Sequence, residues 1–388
     1  MIKLIINGEL FRPQFSGKQQ ILIADGRIAA LEKEIDITSL QKHVDVYDAK
    51  GKIIIPGLID GHVHITGGGG EGSFKTRTPE LSLSDCIKGG ITTVVGVLGT
   101  DGTGRTMTNL VAKAKGLTEE GITCYCKSGN YHLPVKTLTG SVETDIMYIQ
   151  EIIGAGEVAI SDHRSSQPTK EELARLASEA RIGGILSGKG GVVVVHVGSG
   201  EGKLNILEEI VSTTDIPLSQ FLPTHINRTE ELLAAGIEYA KSGGYVDFTT
   251  SSVQENDNEL SSSKCLKRLL DKGIAVEQIT FTSDGQGSLP RFDENGQFLG
   301  LGVGRVTSLF DEVRQAVIEE NIQLETALQV ATANPADILK LHHKGRIEQG
   351  KDADIVILDR STLRIDGVIA KGQWLMQDQK LLVKGTFE

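Results

Sequence analysis

The sequence predicts an α/β protein, with a (β/α)8 TIM-type barrel over residues 57–345 and one small sheet domain assembled from both chain ends, 1–56 and 346–388. Two textures lead to this. Between 57 and 345, eight apolar β runs alternate with amphipathic helical stretches, which is how buried parallel strands and crossover helices read. At both ends the chain reads instead as short strands broken by turns. Composition agrees: 46 glycines against 9 prolines in 388 residues suit a fold with many tight strand-to-helix loops.

The first 50 residues alternate toward a glycine turn in MIKLIINGEL, then give two β runs split by Asp25-Gly26, a hairpin signal. The barrel texture starts with IIIPGLIDGHVH and continues through ITTVVGVLG, ITCYCKSGNY, EVAISD, VVVVHVGSG, FLPTHI, YVDFTTSS and ITFTSDG. The fourth run is read as opening at Glu157. Helical stretches intervene, among them KEELARLASEARIGGILS and TEELLAAGIEYAKSG. No GxGxxG follows the first strand, so an open dinucleotide-binding sheet is disfavoured. The tail returns to β runs in DADIVILD and IDGVIAKGQWLM.

A formal net charge of −11 argues against nucleic acid or an anionic membrane surface as partner, because both need a basic face. No run reaches the roughly 18 apolar residues of a spanning helix. The cysteines Cys86, Cys124, Cys126 and Cys265 form no CxxC pair, and no signal peptide precedes them. Reduced thiols in a cytoplasmic protein are therefore expected.

Chemistry in such a barrel gathers at the C-terminal ends of its strands. There stand His62-Val63-His64, Tyr131, His196, His225 and Asp284-Gly285. Residues i and i+2 of a strand share a face, so His62 and His64 point together into the barrel mouth. Four of the 9 histidines, with a strand-end aspartate, make a donor set suited to zinc or another borderline divalent metal. A lone strand-end histidine is usually a hydrogen-bonded core residue; convergence of four reverses that reading. His132 and His163 lie at the same rim as outer-shell candidates, while His43, His342 and His343 fall outside the strand set.

The run Pro56-Gly57-Leu58-Ile59-Asp60-Gly61-His62-Val63-His64 resembles the PGxIDxHxH signature of the amidohydrolase superfamily. That resemblance implies a metal-bearing barrel paired with a small β-sandwich from both termini. The order HxH, strand-four bridge, two histidines and aspartate is similar to its binuclear subtype. A finer resemblance is to the isoaspartyl (β-aspartyl) dipeptidases. It is carried by Gly67–Gly70 with Glu71-Gly72, by Gly129-Asn130-Tyr131, by Ser161-Asp162-His163-Arg164-Ser165-Ser166, by Thr224–Arg228 and by Ser283–Ser288.

The resemblance implies that Glu71 holds a substrate ammonium. It gives the carboxylates to Arg164, Arg228 and Ser288, with neither arginine assigned to one carboxylate. Gly69 and Thr100 complete the substrate-binding set, and Tyr131 stabilises an oxyanion. The family commonly carries a carboxylated lysine on strand four. Here that position falls on Glu157, and no lysine occurs from Ile152 to Arg164. The expected cofactor is thus two divalent ions, zinc first, held by His62, His64, Glu157, His196, His225 and Asp284, with Glu157 as bridge. A metal-activated hydroxide would be the nucleophile, and Asp284 the general base and acid.

One anion and two guanidiniums complement a dipeptide whose N-terminal isoaspartyl residue carries an ammonium beside carboxylates. The glycine-rich segment 285–304 is read as part of a rim or lid. Competing readings are a cyclic-amide hydrolase of dihydroorotase or hydantoinase type, an N-acyl amino-acid deacylase, a deaminase, or an inactive binding homologue. Family resemblance also implies a homo-oligomer, up to an octamer.

Overall fold

The structure, a computed structural model, describes residues 2–39, 41–251, 260–292 and 298–388. Eight short parallel strands order the middle of the chain: β1 (Leu58–Val63), β2 (Ile91–Gly96), β3 (Thr123–Ser128), β4 (Ile152–Ile160), β5 (Val192–Val197), β6 (Phe221–Thr224), β7 (Val246–Thr249) and β8 (Ile279–Thr282). The first six form one continuous parallel sheet in chain order, and β7 pairs with β8. The sheet curls as in a TIM-type barrel. Ile226 N donates to Asp247 O at 3.2 Å beside β6 and β7, and Val63 bridges Gly285 in parallel beyond β1 and β8.

Strand β5 shows why the sequence folds this way. Val193, Val195 and Val197 pack outward against the helices, while Val192 and Val194 join Ile59, Val95, Ile153 and Leu222 inside the ring. Alternation continues to His196, which therefore faces inward one step above Val194. Each fully buried Val or Ile contributes about 1.5–3 kcal/mol, so register is strongly specified and a one-residue slip would turn His196 outward.

Crossover helices match their sequence spans closely. Lys170–Ser187 opens with a reciprocal capping box between Thr169 and Glu172, and closes at Gly188 with φ 70°. Glu230–Lys241 is capped by the Thr229 side chain.

The two chain ends meet. Ile53–Pro56 pairs antiparallel with Ile355–Leu358 in a seven-stranded sheet that draws on both termini. A second, four-stranded sheet comes from residues 2–48 and includes the hairpin at Asp25-Gly26, where both residues have positive φ, 51° and 76°. Ile5, Leu10, Ile23, Ile54, Ile355 and Ile369 belong to one buried cluster shared by the two sheets. Lys344 ties this unit to the barrel: its buried ammonium donates to Thr123 Oγ1 at 2.6 Å and to Asp354 at 2.7 Å.

Two boundaries differ from expectation. IIIPGLIDGHVH is two strands in different sheets, divided at Gly57, where a Cβ would lie 2.2 Å from Thr92 Oγ1. Strand β4 starts at Ile152, five residues before Glu157, because Gly154-Ala155-Gly156 hides a fully buried strand behind small residues. The rim segment 285–304 contains a hairpin, Ser288–Phe292 with Phe298–Val303; residues 293–297 of that segment lie outside the described residues, as does Ser252 of the seventh run. The four cysteines are free and buried, in no disulfide. No helix among the described residues is long and apolar enough to cross a membrane.

Candidate active site

A cavity of about 1860 Å³ opens at the C-terminal ends of the strands. His64, Gly69, Glu71, Thr100, Tyr131, Arg164, His196, His225, Arg228, Asp284 and Ser288 all line it. His62 and Glu157 lie beneath this surface at 1% and 0% exposure. The residues expected to bind metal or substrate or to act in catalysis therefore lie around one cavity.

His62 and His64 leave the end of β1 with ring centroids 5.8 Å apart, and His62 is 5.6 Å from the His225 ring. His225 and Asp284 follow the last residues of β6 and β8 in left-handed conformations, φ 65° and 52°. Such strain persists only where the surroundings over-determine it, and it is common at functional sites. Tyr131 stands three residues beyond β3, buried, with its hydroxyl 2.7 Å from His196 Nδ1.

Glu157 sits among these side chains and its two oxygens divide between them. Oε2 faces His62 Nε2 at 3.3 Å and His64 Nε2 at 3.9 Å. Oε1 faces His196 Nδ1 at 2.9 Å and His225 Nε2 at 3.2 Å. Asp284 Oδ1 lies 3.0 Å from His64 Nε2 and 3.8 Å from His62 Nε2.

Electrostatics reflect this crowding. Burial opposes the charge on Glu157, yet the neighbouring His62 charge and hydrogen bonds from His196 and His225 hold the carboxyl well below its usual range. Burial likewise pulls His62 down, but Glu157 and Asp284 outweigh it and push the imidazole up to about 9. Burial lowers His225 to about 3 and raises the Tyr131 phenol well above its ordinary value.

Several buried polar atoms here have no hydrogen-bond partner among the described residues: both nitrogens of His62, His64 Nδ1, Glu157 Oε2 and Asp284 Oδ1. Buried lone pairs are rarely left so. Two groups, His62–His64–Asp284 and His62–Glu157–His225, each bring three donor atoms within 4.8 Å of one another. Nitrogen and carboxylate donors aimed at shared points fit divalent cations.

Opposite this cluster the cavity wall is charged. Glu71 Oε1 accepts from Thr100 Oγ1 at 3.0 Å and lies 3.4 Å from Arg164 Nη1. Arg228 Nη1 donates to Val197 O at 3.1 Å. The Gly67–Gly70 loop carries Glu71 close above the histidines; a Cβ on Gly68 would lie 3.1 Å from His64 Cγ, and one on Gly69 would lie 2.6 Å from Thr76 O. Neither outer-shell candidate joins the cluster: His132 Nε2 pairs with Arg164 O at 2.9 Å, and the His163 side chain is 91% exposed.

The chain matches the model of the amidohydrolase family over residues 53–375. It belongs to that family. Among solved amidohydrolase structures, β-aspartyl dipeptidase from Fervidobacterium islandicum AW-1, in complex with β-Asp-Leu, is similar at 44% identity and a TM-score of 0.90, covering 98% of both chains. Curated relatives include dihydroorotase from Listeria welshimeri, 23% identical over 92% of this chain and 89% of that one. D-hydantoinase from Streptomyces coelicolor is 26% identical, covering 87% and 81%.

Sequence reasoning left four supporting residues of this amidohydrolase site unassigned. Asp162 contacts both Arg164 and His196. Thr249 Oγ1 lies 2.6 Å from His225 Nδ1. Buried Arg105 pins the glycine loop through Thr66 O and Gly68 O at 3.0 and 2.8 Å. Gly99 leaves room for the His64 ring, which a Cβ would approach to 2.5 Å. Asp162 and Thr249 were findable, since both are polar residues at or just past a strand's C-terminal end.

Proposed function

We propose that this chain hydrolyses the isopeptide bond of β-aspartyl dipeptides. The observation that carries the reading is a charge pattern on the cavity wall: the Glu71 carboxylate lies 3.4 Å from the Arg164 guanidinium, and Arg228 lines the same cavity as the histidine–carboxylate cluster. An isoaspartyl dipeptide bears one ammonium and two carboxylates around the scissile amide, the complement of that wall. A cyclic amide without an ammonium group would leave the Glu71 carboxylate unmatched. The 44% identical neighbour bound to β-Asp-Leu supports the same choice.

In this reading residues 57–345 form the catalytic (β/α)8 barrel, and 1–56 with 346–388 a small β-sandwich domain. His62, His64, His196, His225 and Asp284 would hold two divalent ions, with Glu157 as their bridging ligand in place of a carboxylated lysine. Zinc is the first candidate for both. When bound, divalent cations in such a cluster lower the pKa of a water molecule and polarise a carbonyl.

The side chains do the rest. Glu71 accepts from the substrate ammonium, while Arg164, Arg228 and Ser288 bind carboxylates, with Gly69 and Thr100 shaping the same wall. Asp284 takes a proton from the attacking water and delivers it to the departing amide nitrogen; the water oxygen becomes the new carboxylate oxygen, and the water's second proton also passes to the amine, which leaves as an ammonium. Tyr131, kept neutral by burial, donates its hydroxyl to the carbonyl oxygen as charge grows there.

The ammonium contact gives a direct test. N-acetylation of β-Asp-Leu removes the positive charge and leaves the Glu71 carboxylate unmatched, a loss of about 1.5–3 kcal/mol for a charged hydrogen bond. Steady-state kinetics should show kcat/KM reduced about 10- to 100-fold or more for the acetylated peptide. Equal rates for both peptides would remove Glu71 from substrate recognition and, with it, the dipeptide reading.

A further inference from the structure

Asp162 follows β4 and is buried, 8% exposed, between the metal-type cluster and the arginine wall. Its Oδ2 accepts from His196 Nε2 at 2.8 Å and from Arg164 Nη2 at 2.7 Å. Its Oδ1 accepts from Arg164 Nε at 3.0 Å and from the Arg164 main-chain N at 2.8 Å. Arg228 Nη1 lies 4.0 Å from Oδ2. One carboxylate thus touches a histidine of the cluster and grips one of the two guanidiniums by its edge.

Chemistry fixes what each contact does. An ionised carboxylate only accepts, so His196 Nε2 carries the proton. In a neutral imidazole Nδ1 then holds the lone pair, and Nδ1 is the nitrogen facing Glu157 Oε1 at 2.9 Å and the Tyr131 hydroxyl at 2.7 Å. That lone pair accepts from the Tyr131 hydroxyl here, and it is the donor atom that His196 has to offer a cation beside Glu157 Oε1. On the other side, Nε and Nη2 of Arg164 donate to Asp162, while Nη1 is directed toward Glu71 Oε1 at 3.4 Å.

We propose that Asp162 is a positioning residue that sets two partners at once, fixing the tautomer of His196 so that Nδ1 is offered to a metal, and holding Arg164 so that Nη1 alone is offered to a substrate carboxylate. The Arg164 half rests on the dipeptide reading above; the His196 half does not. Through Asp162 the metal-type cluster and the substrate-binding wall share one rigid anchor. Loss of the anchor then affects metal affinity and substrate affinity together, which loss of Arg164 does not.

The test uses the full chain and two kinds of readout. Zinc affinity is measured by competition with a chromogenic chelator on metal-free protein, and KM for β-Asp-Leu on the zinc-loaded enzyme. Carboxylates that orient a metal-binding histidine typically contribute 10- to 100-fold to metal affinity. Asp162→Asn is expected to weaken zinc binding about 10- to 100-fold and to raise KM about 10-fold or more. Arg164→Ala is expected to raise KM similarly while its zinc affinity stays within about twofold of the parent. Asp162→Glu, which keeps an acceptor for His196, should recover most of the zinc affinity.

Zinc affinities of Asp162→Asn and Asp162→Glu equal to the parent, with only a lower melting temperature, would overturn the proposal. If the parent does not hydrolyse β-Asp-Leu, the substrate reading and the Arg164 half fall together. The chelator competition still decides the His196 half in that case.

Discussion

Asp284→Asn lowers kcat for β-Asp-Leu by about 10²–10⁴-fold, the usual contribution of a positioned general acid and base. Asp284 lies two residues past β8, at the cavity surface rather than beneath it, with Oδ1 3.0 Å from His64 Nε2. Burial opposes its charge, but the close His64 side chain and the neighbouring His225 and His62 keep the carboxyl below its usual range, so it is ionised. Asparagine preserves the shape and removes that capacity. Since His62, His64 and Glu157 remain, metal content should fall by much less than the rate. Inductively coupled plasma mass spectrometry alongside steady-state kinetics checks both parts. A variant that loses metal in proportion to activity would reassign Asp284 as a ligand only.

Glu157→Gln is the second large effect. Glu157 is fully buried and faces four histidines, with one oxygen toward His62 and His64 and the other toward His196 and His225. Glutamine keeps one acceptor oxygen and turns an NH2 toward the opposite pair, where it cannot bind a cation. Bound zinc should fall from two ions per chain to one or none, with kcat reduced by at least about 10²-fold. In metal-free protein the same change should lower the His62 pKa, now pushed up to about 9 by Glu157 and Asp284 against the pull of burial. NMR titration of the histidine signals follows that shift. Two ions per chain in Glu157→Gln would mean that the bridge is elsewhere.

The same residues show what a sequence can disclose about this molecule. The inward histidines were legible because strand parity is strict: His62 and His64, or Val192, Val194 and His196, must share a face. The double β texture at both ends was equally legible, although only the pairing of Ile53–Pro56 with Ile355–Leu358 brings the ends together. Strand β4 was legible only in part. Gly154-Ala155-Gly156 carries too little apolar bulk to announce a strand, and the register shift between Ala155 and Val158 breaks the alternation around Glu157. Contacts such as Arg164 with Glu71, across 93 residues of chain, depend on how loops from different strands lean together over the ring. No local pattern encodes that. The family resemblance supplied Glu71, Arg164 and Arg228, but not Asp162, whose role follows from the distances to two partners.

The central claim is that the charged wall selects a β-aspartyl amide. The most direct measurement is kcat/KM for β-Asp-Leu, α-Asp-Leu and dihydroorotate, with and without added zinc. The predicted result is zinc-dependent cleavage of β-Asp-Leu, faster than α-Asp-Leu by about 10²-fold or more, because moving the amide to the α-carboxyl displaces it from the aligned groups. Preferential turnover of α-Asp-Leu or dihydroorotate would contradict it.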